Sequence, residues 1–460
     1  MSDDAPASVP PPAGTASAKP WVAILVGSAY VVCLVRLAGF VAANSVNLMY
    51  SDQWDALWPL FEGRGPWTMF LHQHGPVRLG LGGVINWWLY TTTGWDVRAE
   101  AWSGAVMLAL AAGVALVLAA RLRGRLAWTD AAFPLLLLSL VQWETLILTT
   151  FPGAQILPLL LILLVAWSWS LDDAIARGLG VGLGGALALF SGYGVVSAPA
   201  TVGLAALLWL RPGSERPAAD RRAAVVALIL MGAAVIAFAS SYHFASGNGD
   251  FRFPVPNWWD YPRFCALMFT NLFGWRAITT ASVTVGAVLL APVVIAFVAA
   301  TLRLWRRRAG PRVRVAWFLT GATLAYAALT AVGRLPTTIE AAFMWRYTSL
   351  LLPGVCGVGL LAEEWARTRG PRWGVGFGVM WLAVAGVVWG NFTPEVYAAS
   401  LAKAKRLWVE SYLQTHNLAA ANHLADFGIY PDANSPVLAE KLRLLDERHL
   451  SFFKDAPAKE

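Results

Sequence analysis

The chain has 460 residues, 57% of them hydrophobic and 13% charged, and carries 24 tryptophans. That composition excludes a soluble globular protein and a disordered one, because no water-soluble core of this length needs so much apolar material. The net charge of +8 does not point to nucleic acid, since the arginines sit in short clusters between apolar runs, where the positive-inside bias accounts for them. Cys33, Cys265 and Cys356 are far apart, without metal-ligand or CxxC spacing, and read as apolar side chains.

In chain order, residues 1–20 are rich in Pro, Ala and Ser and read as a disordered cytoplasmic tail. The apolar run behind them, 21–43, has no small-residue cleavage site and is read as a first span that is retained. Further stretches able to cross the hydrocarbon layer fall near 100–120, 130–149, 154–171, 175–191, 195–210, 222–241, 282–304, 314–332, 345–362 and 374–392. The expectation is an all-α polytopic bundle of about eleven transmembrane helices, with roughly nine to thirteen as the range. The arginine clusters at 121–125, 211–222, 303–314 and 366–372 are placed in the cytoplasm. With the N-terminus inside, this requires residues 78–92, which end in Trp87, Trp88 and Tyr90, to lie at the interface rather than cross. The domain reading is then a transmembrane unit over 21–392, with a large first extracytoplasmic loop at 44–99 holding interfacial helices, and an extracytoplasmic helical tail at 393–460. No repeat of fixed period is visible.

Ionisable side chains in or beside spans are costly, about 2.5–3.5 kcal/mol each near a helix centre on the insertion scale, and here they gather on one expected face. Asp52, Asp55, His72, His74 and Arg78 belong to the first outer loop, Gln142 and Glu144 to the outer part of the third stretch, and Arg334, Glu340 and Arg346 to the turn before the tenth. Plainer readings exist for each: a helix cap for the aspartates, solvated histidines, snorkelling arginines, a locally satisfied glutamate. Their shared face favours a common site. Arg334 and Arg346 offer planar forks to phosphate oxygens, and a nearby carboxylate could take a proton from a hydroxyl or help hold Mg²⁺ or Mn²⁺. Trp54, Trp258 and Trp259 could stack on a sugar, although an interfacial belt explains them as well.

The succession "SDQWD", "HQHGPVR", "QWETLILTTFPGAQ", "SGYG" and "GRLPTTIEAAFMWRYTSLLLPGVCGVGLL" resembles a group of bacterial multi-spanning proteins related to the GT-C glycosyltransferases. The likeness runs over about 45–365; Pro76 and Val77 stand where that pattern has Glu and His, and Thr145 where it has Asn. The resemblance implies a GT-C-like bundle in the bacterial inner membrane, an inverting transfer of sugar from a polyprenyl-phosphate donor to a glycan, lipid or protein acceptor, and membrane lipids as surroundings. It implies Asp52 and Asp55 as catalytic carboxylates or metal ligands, and His74, Arg78, Gln142, Glu144, Gln155, Arg334, Arg346 and Tyr347 as substrate-binding residues. A polysaccharide polymerase or ligase, a flippase or transporter, and a non-enzymatic membrane subunit remain alternatives.

Overall fold

A computed structural model describes residues 19–148, 152–210, 218–243, 252–306, 310–432 and 435–455. Nearly all of the expected N-terminal tail, the turn near 150 and the arginine-bearing connection at 211–217 lie outside these residues.

Helix α1 (Pro20–Asn44) leads into a connection that is itself folded. It holds α2 (Gln53–Ala56), α3 (Trp58–Phe61), α4 (Pro66–Leu71), a two-residue hairpin of β1 (Gln73–His74) with β2 (Val77–Arg78), and α5 (Leu81–Thr93). The hairpin is the one departure from all-α structure among the described residues. Helix α5 has 13 residues, short of the roughly 20 needed to cross. Next comes α6 (Val97–Arg123), whose Asp96 cap accepts from the Arg98 amide. A broken segment follows: α7 (Ala132–Leu137), a 3-10 turn at Leu140–Gln142, and π-helical turns at Glu144–Leu148 and Pro152–Ile156.

The remaining helices are α8 (Leu157–Trp169), α9 (Ala174–Leu189), α10 (Ala198–Leu210), α11 (Ala218–Ala239), α12 (Asp260–Thr270), α13 (Thr280–Trp305) and α14 (Pro311–Arg334). Three 3-10 turns over Ile339–Phe343, Trp345–Tyr347 and Ser349–Leu351 join α14 to α15 (Leu352–Arg369). Then come α16 (Pro371–Trp389), α17 (Thr393–Thr415), α18 (Leu418–Ala425) and α19 (Pro436–Glu447).

Among the described residues, eight helical segments are long and apolar enough to cross a membrane, and three shorter apolar ones cover Trp128–Gln142, Gly153–Trp169 and Ala174–Leu189. Helices α14 and α15 are enclosed, with Phe318, Leu319, Tyr326, Leu352 and Cys356 buried. By contrast α11, α13 and α16 expose Ile229, Ile236, Val288, Ile295, Val375 and Val379. Apolar side chains facing outward along whole helices suit a lipid surround, and the protein is a multi-pass membrane protein.

Alternation along the bundle defines two ends. One, here the arginine end, is fastened by ion pairs: Arg123 to Asp130 at 2.7 Å and to Glu363, and Arg177 and Arg314 both to Asp220 at 2.9 Å. The other, the loop end, carries residues 44–97 and the described residues after 390. Leu48, Trp54, Leu57, Met69 and Tyr90 from the first connection share a core with Trp408, Leu442, Leu445, Phe452 and Phe453 of the tail. These two segments, at opposite ends of the sequence, form a single layer over the bundle.

Candidate functional site

Below that layer, four chain segments meet: the π-helical turns after α7, the Gly192–Ser197 turn, the end of α14 and the 3-10 turns before α15. Close backbone approach makes the meeting possible. Gly192 has φ +53°, and a Cβ there would sit 2.3 Å from Ala154 Cα; only glycine fits such a position. This turn presents Tyr193, whose hydroxyl accepts from Arg334 Nη2 at 3.4 Å.

Arg346 lies next to it. Its backbone N–H donates to Glu144 Oε2 at 3.1 Å, and its guanidinium packs over the Tyr347 ring at 5.7 Å to the centroid. Its Nη2 meets the Met344 sulfur, 2.9 Å away, and its Nε has no partner among the described residues; a thioether is a weak acceptor. Neither Arg334 nor Arg346 forms a salt bridge with a carboxylate among the described residues. The two guanidiniums act on each other, on Tyr193 and on Tyr347. Arg276, stacked over Trp345 at 5.4 Å and Tyr397 at 5.7 Å, is a third cation within reach of Glu144.

The surroundings hold unused polarity. Gln155 is fully buried, and neither of its amide atoms has a partner among the described residues; the same holds for Gln142 Oε1. Buried polar atoms without partners are rare enough to need an explanation, and a polar ligand supplies one.

The acids of the first connection separate into two kinds. Asp52 is half-buried, accepts from the Ser51 hydroxyl at 3.3 Å, and lies within electrostatic reach of Arg334. Asp55 is engaged by the tail: Tyr430 Oη donates to it at 3.0 Å and Lys441 Nζ at 3.3 Å. Among the described residues no group of three or more His, Cys, Asp or Glu gathers as a metal-ligand set. Asp55 is thus already engaged by a tyrosine hydroxyl and an ammonium.

The structure thus brings together Asp52, Glu144, Arg334, Arg346 and Tyr347, with Gln142 and Gln155 buried in the segments around them. His74 stands on β1, outside this contact network. Arg78 is occupied elsewhere: it donates to Ser241 Oγ at 3.1 Å and to the Ser241 carbonyl, and lies over Phe238 at 4.9 Å. It fastens the hairpin to the end of α11. His72 is half-buried beside the Asp55 carbonyl, and burial pushes its imidazole below the ordinary 6.5.

Three residues at this end escaped the sequence reading. Tyr193 lay inside "SGYG" but was not singled out. Glu100 is a lone acid in the first turn of α6, a signal available from its place in an apolar span. Lys405 is buried over the Tyr50 ring at 5.3 Å and donates to the Ile147 carbonyl at 3.2 Å; nothing in the amphipathic tail marked it.

Fold and site together define a helical multi-pass membrane protein with a tyrosine-lined arginine cluster at one end of its bundle. No family model matches the chain, and no curated protein matches it. Among solved structures the chain is similar to ArnT from Cupriavidus metallidurans, crystallised with undecaprenyl phosphate, at 16% identity over 94% of this chain and 78% of that one, with a TM-score of 0.43.

Proposed function

We propose that the protein is a GT-C-type membrane glycosyltransferase that transfers a sugar from a polyprenyl-phosphate donor to a hydroxyl of a glycan, lipid or protein acceptor. In this reading the chain crosses a bacterial inner membrane about eleven times. The N-terminus and the arginine end lie in the cytoplasm, and the loop end with its tail lies outside. One observation carries it: Arg334 and Arg346 converge with no carboxylate at salt-bridge distance from either guanidinium among the described residues, Glu144 meeting Arg346 at its backbone N–H, while Asp52 stands within reach of Arg334. Partly desolvated guanidiniums favour an anionic ligand, and their fork geometry suits phosphate.

The chemistry follows from the placement. Asp52 accepts the proton of the acceptor hydroxyl as its oxygen attacks the anomeric carbon from the face opposite the phosphate. The bond from that carbon to the phosphate oxygen breaks, its electron pair leaves with the polyprenyl phosphate, and configuration inverts. Arg334 and Arg346 hold the phosphate as its charge grows, which lowers the barrier in a site screened from water. No step is routed through a divalent cation.

The test is turnover in proteoliposomes, offering a set of undecaprenyl-phosphate-linked hexoses and pentoses with an envelope extract as acceptor source, and measuring undecaprenyl phosphate released. Asp52→Ala is expected to lower release by about 100-fold or more, while Arg372→Ala, exposed at the arginine end, leaves it unchanged. Undiminished release by Asp52→Ala overturns the proposal.

A further inference from the structure

The turn that carries Asp52 is held in a conformation the chain does not adopt freely. Ser51 has φ 50°, a left-handed geometry that is strained for a residue with a Cβ and persists only where the surroundings over-determine it. Three tethers do so. The Ser51 amide donates to the Ile429 carbonyl of the tail at 2.8 Å. The Tyr50 amide donates to Gln53 Oε1 at 2.8 Å. Gln53 Nε2 in turn donates to Glu100 Oε2 at 3.3 Å.

Glu100 is an unusual anchor. It is 2% exposed, yet no cation lies within salt-bridge distance among the described residues; Lys405 acts on it from further off. Its carboxyl is instead ringed by donors: Tyr90 Oη to Oε2 at 2.8 Å, Asn86 Nδ2 to Oε1 at 3.3 Å, and the Gln53 amide. Burying a carboxylate without a contact ion pair is expensive, and hydrophobic packing would fasten the connection to α6 at lower cost. A carboxyl with both oxygens accepting does something packing cannot. It fixes which way the Gln53 amide faces, and so fixes the amide of Tyr50 and the turn between.

We infer that Glu100 is a positioning residue for Asp52, acting through Gln53 to hold the carboxylate at the angle from which it takes the acceptor proton. This rests on the assignment of Asp52 as the base. Glu100 touches no reacting atom; its effect is on orientation, where a displacement near 1 Å can cost about 100-fold in rate.

The hydrogen-bond logic supplies the experiment. Glu100→Gln can keep its oxygen toward Gln53 and Tyr90 and turn its NH₂ to Asn86, whose amide flips to accept, so this variant preserves the set. In Gln53→Glu two carboxylates face each other. The double exchange, Gln53→Glu with Glu100→Gln, restores a complementary set: the carboxylate now at position 53 accepts from the Tyr50 N–H and from the amide now at position 100, while Asn86 and Tyr90 keep partners. Two readouts apply to protein in proteoliposomes: release of undecaprenyl phosphate from the sugar set above, and amide hydrogen exchange over residues 50–56. Gln53→Glu is expected to lower kcat by about 10- to 100-fold with donor KM unchanged and to speed exchange in that turn, Glu100→Gln to change little, and the exchanged pair to recover both readouts. Unchanged kcat and exchange in Gln53→Glu, or no recovery in the pair, overturns the positioning role while leaving the base assignment to Asp52→Ala. Full turnover by Asp52→Ala overturns both.

Discussion

Asp52 and Asp55 stand three positions apart, yet their surroundings give them different work. Asp55 is bound by Tyr430 and Lys441, 375 and 386 residues further on, and ties the first connection to the tail. Asp52 has no such partner among the described residues and lies within reach of Arg334. At the cationic centre, the proposed function gives Arg346 a charge-assisted contact to phosphate, so in Arg346→Ala affinity for undecaprenyl phosphate should fall about tenfold or more. Titration of the lipid into nanodisc-embedded protein reads this directly. His72 gives the residue scale its pH dependence. Burial lowers the pKa of its imidazole from the ordinary value, so below pH 6.5 the unfolded chain binds a proton that the folded chain refuses, and stability falls as pH drops through that window. Thermal melts of His72→Gln should lose that part of the acid slope. The residue types of the site were legible in the sequence because ionisable groups beside apolar runs are conspicuous. Their partners were not: which aspartate is free, and that Arg78 serves Ser241 and Phe238, depend on contacts between segments that no local pattern encodes.

Among the elements, the tail is the one whose role exceeds its appearance. Helices α17 and α19 bring Trp408, Leu442 and Leu445 onto Trp54 and Leu57, Ile429 holds the Ser51 amide, and Lys441 donates to the Trp54 carbonyl. A chain ended after Thr415 loses the last two tethers and much of the shared core. It should still insert, because the membrane-crossing helices precede it, but residues 44–97 should exchange amide hydrogens far faster and turnover should fall about tenfold or more. Equal exchange in the shortened and full chains would show the layer to be self-supporting. Long apolar helices such as α6, α13 and α14 could be read from composition, because twenty-odd apolar residues announce a span. Segments that break were harder. The described part of the stretch from 130 to 149 resolves into α7, a 3-10 turn and a π-helical turn, and part of the connection at 242–281 is the buried helix α12. Helix α7 packs against α6 and α16, and α12 against α13 and α14, and this packing supports a backbone course that propensity alone does not favour.

At the scale of the molecule, the charge is divided by function. The arginine end neutralises its buried guanidiniums with acids: Arg123 with Asp130 and Glu363, Arg177 and Arg314 with Asp220. The loop end gives the guanidiniums of Arg334 and Arg346 no carboxylate at salt-bridge distance among the described residues and surrounds them with tyrosine hydroxyls and an unpartnered glutamine. Breaking a pair of the first kind leaves a buried charge uncompensated and costs about 3–5 kcal/mol; in the proposed function the second receives the phosphate of the donor. The claim that joins Asp52 to these arginines is that all three act on one head group. An experimental density map of the protein in nanodiscs with undecaprenyl phosphate bound tests it most directly. The phosphate is expected between Arg334 and Arg346 with Asp52 on its open side; a phosphate seated at the arginine end, beside Arg121 and Arg312, would contradict it.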